Sequence, residues 1–209
     1  MSARMIEDHL REEYFSLLPE IRKVVWQLEA EIRFHTLQIL HSLDHYEQLI
    51  VKSRIKECES AIKSLQRRQE GRVFNPDRPQ DYSLLNLPDL AGVRALVFPR
   101  GRLVDVDRCL KKVFAAWEDN PVPDETGAAL AFKYTGYCRG VSDKVHGEYQ
   151  VVPMLVGLFW EVEHSAMYKP DPSLKGIGTS TEMKKLKGNV EDALMRFEAG
   201  VERFVSENG

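Results

Sequence analysis

The segment GVRALVF, residues 92–98, is the clearest strand in the sequence, because a mostly apolar run is closed by Pro99 and Gly101. It leads into LVDVDRCLKKVFAAW, residues 103–117, where apolar side chains recur at the spacing of one helical face. That face consists of Val104, Cys109, Leu110, Val113 and Phe114. A buried strand that runs directly into an amphipathic helix is typical of a layered core of sheet and helix. This stretch therefore indicates an α/β or α+β fold.

Three further segments have the character of strands. QLIVKSRIK, residues 48–56, predicts a short strand, and ALAFKYTGYCRGV, residues 129–141, predicts a longer one. EYQVVPM, residues 148–154, follows a polar stretch, so the last two segments are expected to form an antiparallel hairpin with its loop around Gly147. We therefore expect a mixed or antiparallel sheet packed with helices.

Helical periodicity marks both ends of the chain. Residues 7–46 carry apolar side chains at helical spacing, and Pro19 stands where a new helix could begin. Residues 57–71, 154–169 and 181–206 predict further helices. One compact domain is expected, made of an N-terminal helical segment at 1–50, a core at 51–170, and a C-terminal linker and helix at 171–209.

The composition is that of an ordinary globular protein. Of 209 residues, 43% are hydrophobic and 29% charged, and no stretch approaches the roughly 20 apolar residues needed to cross a bilayer. The charged N-terminus lacks the apolar middle segment of a secretory signal, so we expect a cytoplasmic protein without a membrane partner. A net charge of −3 argues against a dedicated nucleic-acid binder but is compatible with a local basic cleft.

The cysteines indicate neither a disulfide framework nor a zinc site. Cys58, Cys109 and Cys138 are odd in number and show no CxxC or Cys/His spacing. We expect three free thiols, buried in the fold.

A basic cluster lies where the first predicted strand gives way to a helix. It contains Arg54, Lys56, Ser60 and Lys63, of which the last three recur at helical spacing. Such a face can bind phosphate groups. The alternative is a solvated basic surface, which is the commoner role of exposed charges on helices.

Two carboxylates near predicted strands are candidates for a magnesium site. Asp89 precedes the strand that contains Gly92 and Arg94, and Glu148 shares one face of a later strand with Gln150 because side chains alternate along a strand. Mg²⁺ prefers carboxylate oxygens and usually takes one or two from the protein. The alternatives are a turn or cap residue for Asp89 and a solvated edge strand for Glu148.

A ridge of aromatic and polar side chains is predicted beside the apolar stripe of the helix after the hairpin. Trp160, His164 and Tyr168 follow one another at four-residue spacing, with Glu163 and Lys169 beside them. A histidine taken alone is more often structural than functional. This ridge therefore supports a functional prediction only together with the other clusters.

The four clusters, in this order, resemble the synthetase domain of the RelA/SpoT family, which includes small alarmone synthetases and related toxins. The resembling segments are RIKECESAIKSL, DLAGVRALV, KYTGYCRGV and EYQVVPMLVGLFWEVEHSAMYK, which together span residues 54–169. The resemblance implies an α+β fold with a mixed sheet of nucleotidyltransferase-like type and long terminal helices. It also implies transfer of the β,γ-pyrophosphate of ATP to the 3'-hydroxyl of a nucleotide, by default GDP or GTP.

The resemblance assigns roles residue by residue. The residues implied to contact ATP are Arg54, Lys56, Ser60, Lys63 and Arg94. Asp89 and Glu148 are implied to hold the catalytic Mg²⁺, and Gln150 to position polyphosphate. The residues implied to serve the acceptor are Tyr134, facing its base, together with His164 and Lys169.

The chain departs from the family pattern mainly on the acceptor side. Val152 and Pro153 stand where arginine and threonine are expected, Cys138 replaces a histidine, Gly136 a serine and Ser64 a lysine. Three readings stay open: a guanine-nucleotide acceptor, a changed acceptor such as an adenine nucleotide or the 3' end of tRNA, and a non-catalytic nucleotide-binding module. The resemblance also implies two possible partners: a second copy of the chain in a homo-oligomer, and an antitoxin if the protein is a toxin.

Overall fold

The computed structural model describes residues 3–123, 129–165 and 180–208. Its main elements are α1 (Ala3–His41), β1 (Gln48–Ile55), α2 (Cys58–Arg67), β2 (Ala91–Phe98), α3 (Leu103–Val113), β3 (Glu118–Asp119), β4 (Val122–Pro123), β5 (Ala129–Tyr137), β6 (His146–Pro153), α4 (Met154–Glu163) and α5 (Thr181–Asn208). Short 3₁₀ turns connect several of them. None of the helices described here is long and apolar enough to cross a membrane.

The sheet is mixed, with the strand order β1-β2-β6-β5-β3 and with β4 paired to β5. Strands β2 and β6 run parallel, whereas β1 pairs antiparallel with β2 and β5 pairs antiparallel with β6. The expected α+β fold with a mixed sheet and long terminal helices is therefore confirmed. The hairpin loop differs from the expectation: it spans residues 138–145, and Gly147 lies inside β6.

Helix α1 covers one face of the sheet and contributes a long stripe of buried side chains to the core. It is 39 residues long and runs through Pro19 without a break, so no new helix begins there. The side chains of Val24, Leu28 and Ile32 are buried against the sheet. Burial of this long apolar stripe offsets the cost of about 3 kcal/mol that an interior proline imposes on a helix.

Two glycines make room for a tryptophan on the α1 side of the sheet. Gly136 and Gly147 are opposite each other in the β5–β6 pair. A Cβ at Gly136 would lie 2.6 Å from Trp117, and one at Gly147 would lie 2.9 Å from the same indole. The glycine at position 136 thus has a packing role, because any side chain there would displace Trp117.

Helix α5 packs against α4 through polar contacts. Glu198 is fully buried there: Leu155 N, at the start of α4, donates to its Oε1 at 3.4 Å, and its Oε2 has no hydrogen-bond partner. Burial raises the pKa of Glu198 to about 7, with Glu202 adding to the shift and Arg100 opposing it. The native state therefore holds a proton that the unfolded chain releases near its ordinary value of 4.5.

We expect the contribution of Glu198 to stability to fall as pH rises from about 4.5 to 7, because in that range the Glu198 carboxyl binds more proton in the native state than in the unfolded state. Replacing Glu198 by Gln removes this cost. Glu198→Gln should exceed the wild type in unfolding free energy by on the order of 2 kcal/mol at pH 8, and this advantage should vanish near pH 4.5. Urea unfolding at both pH values measures it, with exposed Glu207→Gln as the control; an equal difference at both pH values would contradict the expectation.

Candidate active site

Two rows of side chains cross the sheet on the face opposite α1. Residues paired in register on neighbouring strands point to the same face, so the rows follow from the strand pairing. The first row consists of Lys52, Arg94, Gln150 and Lys133. The second row consists of Arg54, Gly92, Glu148 and Thr135. The pairing thus brings together polar groups that are far apart in sequence.

Glu148 is the most buried charge in these rows, at 6% exposure. Its Oε1 accepts a hydrogen bond from Gln150 Nε2 at 2.7 Å, and Gln150 Oε1 in turn accepts from Arg94 Nε at 3.0 Å. Lys133 Nζ lies 2.6 Å from Glu148 Oε2, although this oxygen has no partner with hydrogen-bond geometry. The glutamate is therefore held by a neutral amide on one side and neutralised by a lysine on the other.

Asp89 lies two residues before β2 and pairs with Lys56. The Lys56 ammonium contacts Asp89 Oδ2 and also donates to Ser64 Oγ at 3.4 Å, while Asp89 Oδ1 is buried without a hydrogen-bond partner. The backbone N–H of Lys56 donates to Leu90 O at 3.0 Å, which extends the β1–β2 pairing and fixes the lysine here. Burial lowers the pKa of Lys56, and the negative charges of Asp89 and, more weakly, Glu148 oppose this shift.

The two carboxylates fit a magnesium ion. Asp89 Oδ1 is buried without a hydrogen-bond partner, and Glu148 Oε2 is buried with the Lys133 ammonium 2.6 Å away. Within the described ranges no group of three or more His, Cys, Asp or Glu side chains could hold a metal. A site with two carboxylates is nevertheless usual for Mg²⁺, which completes its coordination with water and substrate phosphates.

Further cations extend from this pair toward α4. The Arg94 side chain is 18% exposed, and burial, together with the charge of Arg54, lowers its pKa. Glu161 of α4 lies 2.9 Å from Lys52 Nζ and 3.8 Å from Arg94 Nη1. A Cβ on Gly92 would be 3.5 Å from Arg54 Cγ, so the arginine lies across that strand. The arrangement can bind an extended polyanion beside the carboxylates.

Several predicted site residues lie outside this network. Ser60 is half-buried and Lys63 exposed on α2, and the contacts above do not include either of them. His164 is exposed at the C-terminal end of α4. Tyr168 and Lys169 fall outside the described residues. Six residues of the predicted set therefore lie in this network: Arg54, Lys56, Asp89, Arg94, Glu148 and Gln150.

Tyr134 points to the opposite face of the sheet from Glu148. It is 2% exposed, stacks on Tyr149 with 4.6 Å between ring centroids, and donates its hydroxyl hydrogen to Asp107 Oδ1 at 2.6 Å. Burial and this contact raise the pKa of Tyr134. Because side chains alternate along β5, Gly136 shares that face, and Cys138 is buried in the same core. The structure thus does not bring Tyr134 together with the other predicted site residues.

Sequence reasoning missed the polar side chains of β5. Lys133 and Thr135 face Gln150 and Glu148, and Tyr137, 45% exposed, pairs edge-to-face with His146 at 4.0 Å between ring centroids. The alternation of Phe132 and Tyr134 with Lys133 and Thr135 was a usable signal, because two large apolar side chains at period two mark the core face.

Val152 continues the site face into an apolar cluster. It is fully buried with Leu96, Ala131 and Met154, next to the polar rows. Helix α4 closes over it at Gly157, where a Cβ would lie 3.2 Å from Val152 Cγ1. The valine at this departure from the family pattern is therefore a packing residue.

The fold has known counterparts among solved structures. Small alarmone synthetase 1 from Bacillus subtilis matches with a TM-score of 0.65 at 16% identity, over 94% of this chain and 97% of that chain. A GTP pyrophosphokinase family protein from Streptococcus pneumoniae matches with a TM-score of 0.59 at 17% identity, over 93% of this chain and 95% of that one. The Bacillus protein has also been solved bound to AMPCPP and to its product pppGpp.

By sequence, the chain matches no family model and no curated protein. At 15–17% identity the structural likeness establishes the fold alone. It confirms that this chain shares the fold of the small alarmone synthetases, the family that its motifs resemble.

Proposed function

We propose that the protein is an ATP-dependent pyrophosphokinase that transfers the β,γ-pyrophosphate of ATP to the 3'-hydroxyl of a nucleotide, with GDP or GTP as the default acceptor. The observation that supports it most is the pair of buried carboxylate oxygens, Asp89 Oδ1 and Glu148 Oε2, next to a row of cations. The binding of AMPCPP and pppGpp by a protein of the same fold is consistent with this activity.

The donor side of the proposal uses the cations of the sheet. Phosphoryl-type transfer depends mainly on positioning and on neutralisation of polyphosphate charge. Arg54, Lys56 and Arg94 would bind the ATP phosphates, and Lys52 and Lys133 extend the same positive surface on either side. Ser60 and Lys63 remain proposed ATP contacts from the resemblance. The pairing of Lys56 with Asp89 and of Lys133 with Glu148 keeps these charges balanced before substrate enters.

The chemical step is assigned to the carboxylate pair. Asp89 and Glu148 would hold Mg²⁺, which when bound neutralises developing charge on the phosphate oxygens. The acceptor 3'-oxygen forms a bond to the β-phosphorus, the bond from that phosphorus to the α,β-bridging oxygen breaks, and AMP leaves. Glu148 would take the hydroxyl proton. The hydrogen bond from Gln150 orients the carboxylate for this role.

The acceptor side is proposed to use Tyr137. Tyr137 is the exposed aromatic side chain next to Thr135 and Glu148 on the site face, and a nucleobase could stack on its ring. Tyr134, buried on the other face, has no such access. His164 and Lys169 stay proposed contacts from the resemblance. Because Val152 departs from the family pattern on the acceptor side, the acceptor is to be identified by testing several nucleotides.

A labelled-transfer assay tests the proposal. Purified protein with Mg²⁺ and γ-labelled ATP is offered GDP, GTP, ADP, ATP and deacylated tRNA in turn. We expect label on GDP or GTP, and its loss in Asp89→Asn but not in Glu12→Gln, a matched change at an exposed glutamate of α1. Label on tRNA or on an adenine nucleotide would show that the acceptor is not a guanine nucleotide. Label on no acceptor would contradict the proposed enzymatic activity.

A further inference from the structure

Each carboxylate of the candidate metal site is paired with a lysine, and the two lysines are held differently. The Lys56 side chain is 10% exposed, contacts Asp89 and donates to Ser64 Oγ at 3.4 Å. The Lys133 side chain is 27% exposed, and its ammonium lies 2.6 Å from Glu148 Oε2 without the geometry of a hydrogen bond. A charge contact without an aligned hydrogen bond restrains a long side chain weakly, so Lys133 is the more easily displaced of the two.

The Lys133 ammonium lies on the oxygen that a metal ion would need. Glu148 Oε1 accepts a hydrogen bond from Gln150 Nε2 at 2.7 Å, which leaves Oε2 as the oxygen available to a metal. Mg²⁺ binds its ligand oxygens at about 2.0–2.1 Å, so an ion on Oε2 and the ammonium would lie within about 5 Å of each other. Two cations at that separation repel each other in a site shielded from water. Lys133 and a metal therefore compete for Glu148.

The strand pairing lets the ammonium move while the lysine backbone stays fixed. Lys133 is paired with Gln150, and the next residue of β5 on the same face, Thr135, is paired with Glu148. These pairs hold the base of the lysine side chain beside both polar rows. Its ammonium is a point charge on a flexible stem and can pass from a carboxylate to a phosphate oxygen. The phosphates of a bound nucleotide thus offer Lys133 a second partner without any change in the sheet.

We propose that Lys133 occupies the metal's position on Glu148 and thereby makes metal binding depend on nucleotide. Without nucleotide, the ammonium neutralises Glu148 and opposes the entry of a bare divalent cation. A nucleoside triphosphate that carries its metal offers phosphate oxygens to the ammonium and so frees Oε2. Lys133 is then a positioning residue. This inference rests on the proposed function and extends it, because it sets the order in which metal and nucleotide bind.

Equilibrium dialysis against Mn²⁺, which takes the same oxygen ligands as Mg²⁺, tests this order. Without nucleotide, Lys133→Met should bind Mn²⁺ about 10-fold or more tightly than the wild type, because the competing charge is gone. Lys133→Arg keeps the charge and should resemble the wild type. Lys112→Met, the same change at an exposed lysine of α3, should also resemble it. Adding Glu148→Gln to Lys133→Met should abolish the gain, which assigns the metal to this carboxylate.

The same dialysis with AMPCPP at equal concentration in both chambers gives the nucleotide dependence. AMPCPP should raise the affinity of the wild type for Mn²⁺ by about 10-fold or more, and that of Lys133→Met by much less. Thermal midpoints give a second readout and report folding. Mn²⁺ alone should raise the midpoint of Lys133→Met but not that of the wild type, since a ligand stabilises the state that binds it.

The outcomes separate this inference from the proposed function. A wild type that binds Mn²⁺ without nucleotide as tightly as Lys133→Met overturns the role of Lys133, and the carboxylate pair then remains a metal site. The role of Lys133 also fails if both proteins bind Mn²⁺ weakly alone and equally well with AMPCPP. If neither protein binds Mn²⁺ even with AMPCPP, the metal site of the proposed function fails, and this inference fails with it.

Discussion

Glu148→Gln should abolish pyrophosphate transfer, lowering the turnover rate by about 1,000-fold or more. The substitution preserves shape but removes the negative charge that the metal site needs and the oxygen proposed to accept the hydroxyl proton. It also replaces a carboxylate oxygen with an amide that cannot neutralise Lys133, whose ammonium lies 2.6 Å from Glu148 Oε2. Labelled transfer to the best acceptor of the wild type measures the loss.

Folding has to be separated from chemistry in this experiment. The thermal midpoint of Glu148→Gln and its affinity for a non-hydrolysable ATP analogue report whether the fold and the donor site survive. Glu12→Gln, the same chemical change on the exposed surface of α1, should retain wild-type turnover. A folded Glu148→Gln protein with turnover within tenfold of the wild type would remove Glu148 from both of its proposed roles.

Val152→Arg should destabilise the protein by about 3 kcal/mol or more, even though it restores the residue that the family pattern leads one to expect. Val152 is fully buried between Leu96 and Ala131, with α4 closed above it. An arginine there would have to bury its charge without a partner or push α4 away at Gly157. Urea unfolding monitored by tryptophan fluorescence gives the change in unfolding free energy.

Size and charge are separated by a second substitution at the same position. Val152→Met adds a long side chain without charge and should cost about 1–3 kcal/mol, from overpacking alone. Lys52→Arg, at an exposed position of β1, should be close to neutral. A Val152→Arg protein as stable as the wild type would mean that α4 moves aside readily, and a gain of activity with GDP or GTP would then identify position 152 as part of the acceptor site.

The sequence motifs did not determine on which face of the sheet each motif residue lies. Tyr134 matched a motif tyrosine by its neighbours, yet it lies in the core, stacked on Tyr149. Strand alternation predicts that Tyr134 and Gly136 share a face, and only the position of α1 decides that this face is the buried one. The same alternation places Lys133 and Tyr137 on the opposite face, where the candidate site lies.

Helix α5 illustrates a second limit. Its apolar spacing predicted an amphipathic helix, and a helix is present at Thr181–Asn208. The natural interpretation places the apolar stripe inward. The structure turns Glu198 and Glu202 toward α4 and the turn before α3. Of the apolar stripe, Leu194 and Val201 are partly buried, and the other members, Leu186, Val190 and Phe197, are exposed. Periodicity identifies a stripe but does not say what covers it, since that depends on which hydrogen-bond donors the neighbouring elements present.

The sequence by itself determined the elements, because their signals are local: the apolar run of β2 closed by Pro99, the helical periods of α1 and α5, and the shared face of Glu148 and Gln150. Tertiary structure alone decided that β2 and β6 are parallel neighbours, which sets Gly92 opposite Glu148 and Arg94 opposite Gln150. Strand pairing is a contact between residues distant in sequence, so no local pattern encodes its register. The candidate site depends on that register, because it is the pairing that gathers cations and carboxylates on one face.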